Sequence, residues 1–190
     1  MSSAPFRIAP LEATHDRTPF NSGSGPLDRY FQQQVTQDTR RRVTACFVAL
    51  TRDQSIAGYY TLASTSLLLS DLPATIGKKL PRYPSVPAVR MGRLAVDQNF
   101  KGQGLGGALL ADALDRAIRS EIAAYALVVD AKDESAADFY RHHGFIALPD
   151  SPLTLFLPLE TVHKARSDLS ARDTVSGAAG TYSGNENKGS

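Results

Sequence analysis

The chain contains one cysteine, Cys46, so it cannot close a disulfide within itself. That residue sits in the apolar run Ala45-Cys-Phe-Val-Ala-Leu50 and reads as a buried thiol in a reducing compartment. No stretch approaches the roughly eighteen uncharged apolar residues of a membrane span. The start, Met1-Ser-Ser-Ala-Pro-Phe-Arg7, lacks the basic-then-apolar order of a secretory leader, so the expected location is the cytoplasm. No internal repeat is visible. No spacing of His, Cys and carboxylates suits a metal, and none is expected. The formal net charge is only +2, which points to no partner by itself. With 190 residues and 42% hydrophobic content the chain suits one domain with a substantial core.

What is present is a glycine turn. Residues 93–107 read as a strand ending near Asp97, a tight loop and a glycine-rich turn that opens a helix. Such a turn exposes backbone N–H groups, and the helix start adds more of them at the positive dipole end. Together they suit a phosphate or pyrophosphate. Two common phosphate motifs do not fit. No Lys-Ser/Thr pair follows the glycines, as a P-loop needs. The glycines also come after several strands, whereas a dinucleotide fingerprint follows the first.

The remaining pattern alternates strands and helices. Strands are expected near 6–10, 43–50, 56–67, 89–96, 125–130, 145–148 and 154–159. Helices are expected over 27–41 (with Asn21 or Ser24 available as cap), 106–122 and 135–142, the last stopping at Gly144. A short helix is expected after Asp71 as cap, with Pro73 in its first turn. From Glu160 the chain turns polar. Residues 1–160 therefore read as the domain and 161–190 as a flexible C-terminal tail. Charge is uneven: Lys78, Lys79, Arg82, Arg90, Arg93 and Lys101 face only Asp97 over that span, and Arg40-Arg-Arg42 forms a second cluster. Such polarity suits an anionic partner or, equally, solvated helix ends.

Arg93-Leu-Ala-Val-Asp97, Lys101-Gly-Gln-Gly-Leu-Gly106, Asp130-Ala-Lys-Asp-Glu134, Ala136-Ala-Asp-Phe-Tyr140 and Gly144-Phe145 together resemble a GNAT (Gcn5-related) N-acetyltransferase. Phe20-Asn-Ser-Gly23 with Leu27-Asp28, and Leu80-Pro-Arg-Tyr-Pro-Ser-Val-Pro-Ala88, narrow the resemblance to the aminoacyl-tRNA acetylating toxins of bacterial toxin–antitoxin pairs. It covers about residues 5–160. It implies an α/β fold with a central, mostly antiparallel mixed sheet flanked by helices, and acetyl-CoA as co-substrate. Leu94, Ala95 and Val96 are implied beside the pantetheine arm through their backbone groups. Lys101, Gly102, Gln103, Gly104, Leu105, Gly106 and Gly107 are implied at the pyrophosphate, with Lys101 where the family usually has Gln or Arg. Ser135, Ala136 and Phe139 complete the implied cofactor set.

The same resemblance makes Tyr140 the implied proton donor to the departing sulfur. No strong base is required, because the ester lowers the basicity of an aminoacyl α-amine; Asp97 and Glu134 are the candidates if one acts. His142 and His143 read as surface residues at a helix end. Lys78, Lys79, Arg82, Arg90 and Arg93 are the expected substrate contacts, with phosphates held by long cationic side chains. The implied partners are aminoacyl-tRNA, a ribbon-helix-helix antitoxin and a second copy in a homodimer. Two other accounts stand beside this one. One is the same chemistry on a small amine, polyamine, antibiotic or protein N-terminus. The other is a non-catalytic domain that binds acyl-CoA as a regulator.

Overall fold

The computed structural model describes residues 5–178, and side chains as far as residue 172. Seven strands form one mixed sheet: β1 (Arg7–Pro10), β2 (Ala45–Leu50), β3 (Ile56–Leu68), β4 (Ser85–Val96), β5 (Ala126–Asp130), β6 (Ile146–Leu148) and β7 (Ser151–Pro158). Their spatial order is β1-β2-β3-β4-β5-β7-β6. Every neighbouring pair is antiparallel except β4–β5. That parallel pair is joined by the crossover helix α4 (Leu105–Arg119), since no hairpin can connect parallel strands. The expected mixed, mostly antiparallel sheet is thus the observed one.

Apolar periodicity decides where the helices dock. Leu105, Leu109, Leu110, Ala113, Leu114 and Ala117 form one buried face of α4, which packs with Met91, Leu127 and Val129 of the sheet. Alternation along β3 sends Tyr60 into that core and its neighbour Tyr59 into a second one. There Tyr59 stacks on Phe31 with ring centroids 4.1 Å apart. Phe31 is fully buried, and truncating it to Ala should cost about 3–5 kcal/mol. Val128 and Phe156 build a third cluster with Leu72.

The first helix starts earlier than expected and is not uniform. α1 (Gly25–Arg29) passes through a π-helical turn, Tyr30–Gln34, into α2 (Val35–Arg40). Pro26 fits the first turn, where no N–H is needed. Neither expected cap acts as one: Ser24 stands at the N-cap without a side-chain bond, and Asn21 Oδ1 accepts from Gly23 N instead. The Asp28 carboxylate closes this loop by accepting from Ser22 N and Oγ. Arg42 follows with a positive φ of 60°, which leaves Val43 exposed and delays β2 to Ala45.

Three further boundaries differ. Asp71 ends a 3-10 turn, Leu69–Asp71, and Pro73 is the cap of the four-residue α3 (Ala74–Gly77). β4 begins at Ser85 and runs through Pro87. The Pro87 carbonyl accepts from Tyr125 N, so its missing N–H faces the same side, before the β4–β5 ladder begins at Ala88. α4 stops at Arg119, where Ser120 turns extended and its Oγ accepts from Ile122 N; Ile122 is left 83% exposed.

α5 (Glu134–His142) starts one residue early, capped by Asp133 Oδ1 on Ala136 N, and Gly144 ends it at φ 90° as expected. The polar segment after Glu160 carries regular structure: α6 (Leu159–Ala178) packs Val162 on the core and pairs Arg166 with Asp115 of α4. The rest of that segment, residues 179–190, lies outside the described residues. Among the described residues, no helix is long and apolar enough to cross a membrane.

Candidate active site

The site begins with a skipped register in β4. Thr61 opposes Arg93 while Leu62 opposes Met91, so Gly92 is the extra residue of a bulge. A bulge bends and twists the strand that carries it. The ladder to β5 holds only over residues 88–91, opposite 126–129. Residues 92–96 pair with β3 alone. One edge of this stretch therefore offers unpaired backbone groups beside a cavity of about 370 Å³. Ser24, Pro26 and Leu27 wall it at the start of α1. Met91, Gly92, Arg93 and Leu94 come from β4. Asp130, Ala131 and Lys132 come from the end of β5, and Ala136 and Tyr140 from α5.

Tyr140 is 7% exposed, and its ring packs on Phe139 and Phe145. Among the described residues its hydroxyl has no hydrogen-bond partner, yet no buried side-chain polar atom is left unpaired. The hydroxyl therefore reaches the open cavity. Burial, with the Asp130 charge second, pushes its pKa up to about 12. At neutral pH it is a phenol with a proton to give, not a base.

The glycine turn opens α4 beside the C-terminal end of α5, which carries Tyr140. Gly102 (φ 78°) and Gly104 (φ 76°) both adopt the left-handed region, and a Cβ at either would meet nothing within 4 Å. Glycine is required there by backbone conformation and not by crowding. Gly104 is the N-cap of α4, so the first N–H groups of that helix open onto the turn. A Cβ at Gly106 would lie 3.7 Å from the Phe139 ring, which links turn, α5 and Tyr140. Lys101 Nζ donates to the Ser22 carbonyl at 2.7 Å, and Asn21 N donates to Asp97 Oδ2 at 2.9 Å. These bonds clip the α1 wall of the cavity to the turn.

The structure sorts the expected residues. Leu94, Ala136, Tyr140 and Arg93 line the cavity. Ala95, Val96 and Leu105 turn their side chains into the cores, so only their backbone can face a ligand. Lys101, Gly102, Gln103, Gly104 and Ser135 are exposed, while Gly106, Gly107 and Phe139 are half-buried. Lys78, Lys79 and Arg82 are exposed near α3 and do not line the cavity. Arg90 pairs with Asp130, whose other oxygen accepts from Thr154.

Asp97 is almost fully buried and both its oxygens accept backbone N–H groups, from Asn21 and Asn99, so it organises the loop. Glu134 is exposed and pairs with Arg141. Burial pushes the Cys46 thiol up to about 12. His142 and His143 are exposed, with a His143 ring nitrogen 2.8 Å from the Phe139 carbonyl oxygen. Among the described residues no group of His, Cys, Asp and Glu is placed to hold a metal.

Sequence reasoning missed the α1 wall, Gly92 and the structural role of Asp130. The signal for the wall was present in Phe20-Asn-Ser-Gly23 with Leu27-Asp28, which marked the segment without saying what it faces.

Residues 11–145 match the family described as Acetyltransferase (GNAT) family. The chain belongs to that family. A tRNA-acetylating toxin of Mycobacterium tuberculosis is 36% identical over 157 residues, covering 82% of this chain and 91% of the relative. A solved structure of AtaT complexed with acetyl-methionyl-tRNAfMet has 28% identity and a TM-score of 0.78, covering 84% of this chain and 98% of that one. AtaTR bound with AcCoA has 27% identity and a TM-score of 0.73, covering 85% and 98%. This GNAT chain is an acetyl-CoA-dependent N-acetyltransferase. The residues suit that co-substrate: a free strand edge for amides, and a left-handed glycine turn at a helix start for a pyrophosphate.

Proposed function

We propose that the chain transfers acetyl from acetyl-CoA to the α-amino group of aminoacyl-tRNA, and acts as a toxin that blocks translation. The observation that carries the chemistry is the protonated Tyr140 hydroxyl, without a hydrogen-bond partner among the described residues, at the opening between β4 and β5. The co-substrate supplies the acetyl thioester: the amine forms the new C–N bond as the C–S bond breaks. Tyr140 Oη gives its proton to the departing sulfur and recovers one from water. The amine's surplus proton leaves to solvent, because Asp97 is engaged by backbone and Glu134 by Arg141. The strand edge at residues 92–96 holds the pantetheine amides, and residues 101–107 hold the pyrophosphate.

The choice of acceptor rests on charge as well as on the relatives. Arg93 and Lys132 line the cavity, and its one carboxylate, Asp130, is already paired with Arg90. That wall suits an acceptor carrying phosphates and disfavours a cationic small amine or polyamine. A cytoplasmic location, a ribbon-helix-helix antitoxin and a homodimer belong to the same proposal. They follow from the toxin reading, and light scattering of the chain alone and with its antitoxin tests the assembly.

The direct test is radiolabelled acetyl transfer into total aminoacyl-tRNA, with uncharged tRNA and free amino acids as controls. Label in the charged fraction alone is expected. Transfer to free amines, with none to charged tRNA, would overturn the acceptor.

A further inference from the structure

Arg93 is held differently from the other arginine of β4. Arg90 spends its guanidinium on Asp130. The Arg93 guanidinium makes no hydrogen bond or ion pair among the described residues; its Cζ lies 3.4 Å from the centroid of the Tyr30 ring. A guanidinium stacked face-on keeps its in-plane N–H groups free. Tyr30 is itself fixed, being 6% exposed, with its hydroxyl donating to Asp38 Oδ2 at 3.0 Å. Donating that hydrogen bond to a carboxylate enriches the ring face that meets the cation. The π-helical turn Tyr30–Gln34 begins at this residue. Such turns carry one residue more than an α-turn and concentrate at functional sites. It changes helical phase between Tyr30 and Asp38, so a local irregularity sets the geometry of the pair.

We infer that Tyr30 and Asp38 are positioning residues that hold Arg93 at the cavity wall, with its N–H fork presented to a phosphate of the acceptor. The inference rests on aminoacyl-tRNA being that acceptor. A planar fork matches a phosphate in two-point geometry, and a stacked one loses little freedom on binding.

The test compares wild type with Tyr30→Leu, Tyr30→Phe, Arg93→Ala and the double variant Tyr30→Leu/Arg93→Ala. Tyr30→Leu should raise KM for charged tRNA about 10-fold. Its kcat and acetyl-CoA affinity should stay within about twofold of wild type. Tyr30→Phe keeps the ring and should raise that KM by only about 2–3-fold. Arg93→Ala should match Tyr30→Leu and flatten the salt dependence by roughly 0.7–0.9, the increment for a single phosphate. The double variant should be no worse than Arg93→Ala, because the ring acts only through the guanidinium. Additive losses would make Tyr30 a packing residue, and a matching loss of acetyl-CoA affinity would make Arg93 a co-substrate ligand; either overturns the inference. Should Tyr30→Leu fail to fold, Asp38→Asn leaves the packed ring in place. It must still raise the tRNA KM about 2–3-fold, and must lose that effect in the Arg93→Ala background. Wild type that leaves charged tRNA unmodified would sink the acceptor reading itself, whereas active wild type with unchanged variants sinks only the roles of Tyr30 and Asp38.

Discussion

Two cationic regions of the molecule are close in sequence and unlike in construction. Along β4 each arginine is held, Arg93 by a buried aromatic ring at the cavity wall and Arg90 by Asp130. On the α3–β4 connection, Lys78, Lys79 and Arg82 are exposed, with no ion pair among the described residues. Of these two regions the second is the denser in charge along the chain, but prepared geometry exists only in the first. A held cation offers direction and a fixed hydrogen-bond pattern. A free lysine offers long-range attraction that salt screens within about 8–10 Å.

The largest expected effect lies on the prepared side. Tyr140→Phe keeps the ring and its contacts with Phe139 and Phe145 but removes the proton at the cavity. Turnover should fall by about 10²–10³-fold, within the usual range for general acid catalysis, with acetyl-CoA affinity nearly unchanged. Steady-state rates beside a co-substrate titration separate the two, and wild-type turnover would reduce Tyr140 to a packing residue.

Gly104→Val should come next, weakening acetyl-CoA by at least about 10-fold. A β-branched residue resists the φ of 76° found there, although the space around it is open. Calorimetry on the folded variant measures this, and equal affinity would remove the turn from the site.

Converting Lys78, Lys79 and Arg82 together to Ala tests the solvated side. Apparent tRNA affinity should weaken at low salt, and acetyl-CoA binding should hold. The salt slope should drop by roughly 0.7–0.9 for each phosphate that the variant no longer neutralises. Affinity plotted against salt distinguishes the regions. Parallel curves with equal midpoints would take the connection out of recognition and leave Arg93 as the principal phosphate ligand.

The smallest expected effect is a flat line. An ordinary tyrosine loses its proton near pH 10, but burial raises Tyr140 to about 12. The protonated, donating form therefore persists as pH rises through 10. The limb of kcat that reports this acid should be absent between about pH 7 and 10. A descending limb that appears near pH 10 in wild type and vanishes in Tyr140→Phe would show that the hydroxyl is far better solvated than its surroundings imply.

Much of this protein was legible from residue order alone, because the relevant physics is local. Apolar spacing at 3.6 residues defined α4, and alternation or continuous apolar runs defined the central strands. The glycines at 102, 104 and 144 marked backbone that L side chains resist, and all three have positive φ. The motif around Tyr140 named the residue now found at the cavity. Where local signals competed, boundaries slipped: Pro73 displaced Asp71 as cap, and Ser120 ended α4 before Ile122.

What only the tertiary structure decided depends on contacts between distant segments. The skipped register at Gly92 turns a strand edge into an opening, and no residue type announces which partner a strand will lose. The π-helical turn starts at Tyr30, which shares one core with Phe31 and Val35 and also lies under Arg93, 63 positions along the chain. Nothing in residue order says that Arg93 is stacked on a ring, Arg90 paired with a carboxylate and Lys78 left exposed. Charge belongs to a residue, but whether that charge is paired, stacked or left to water is decided by the surfaces that folding brings against it.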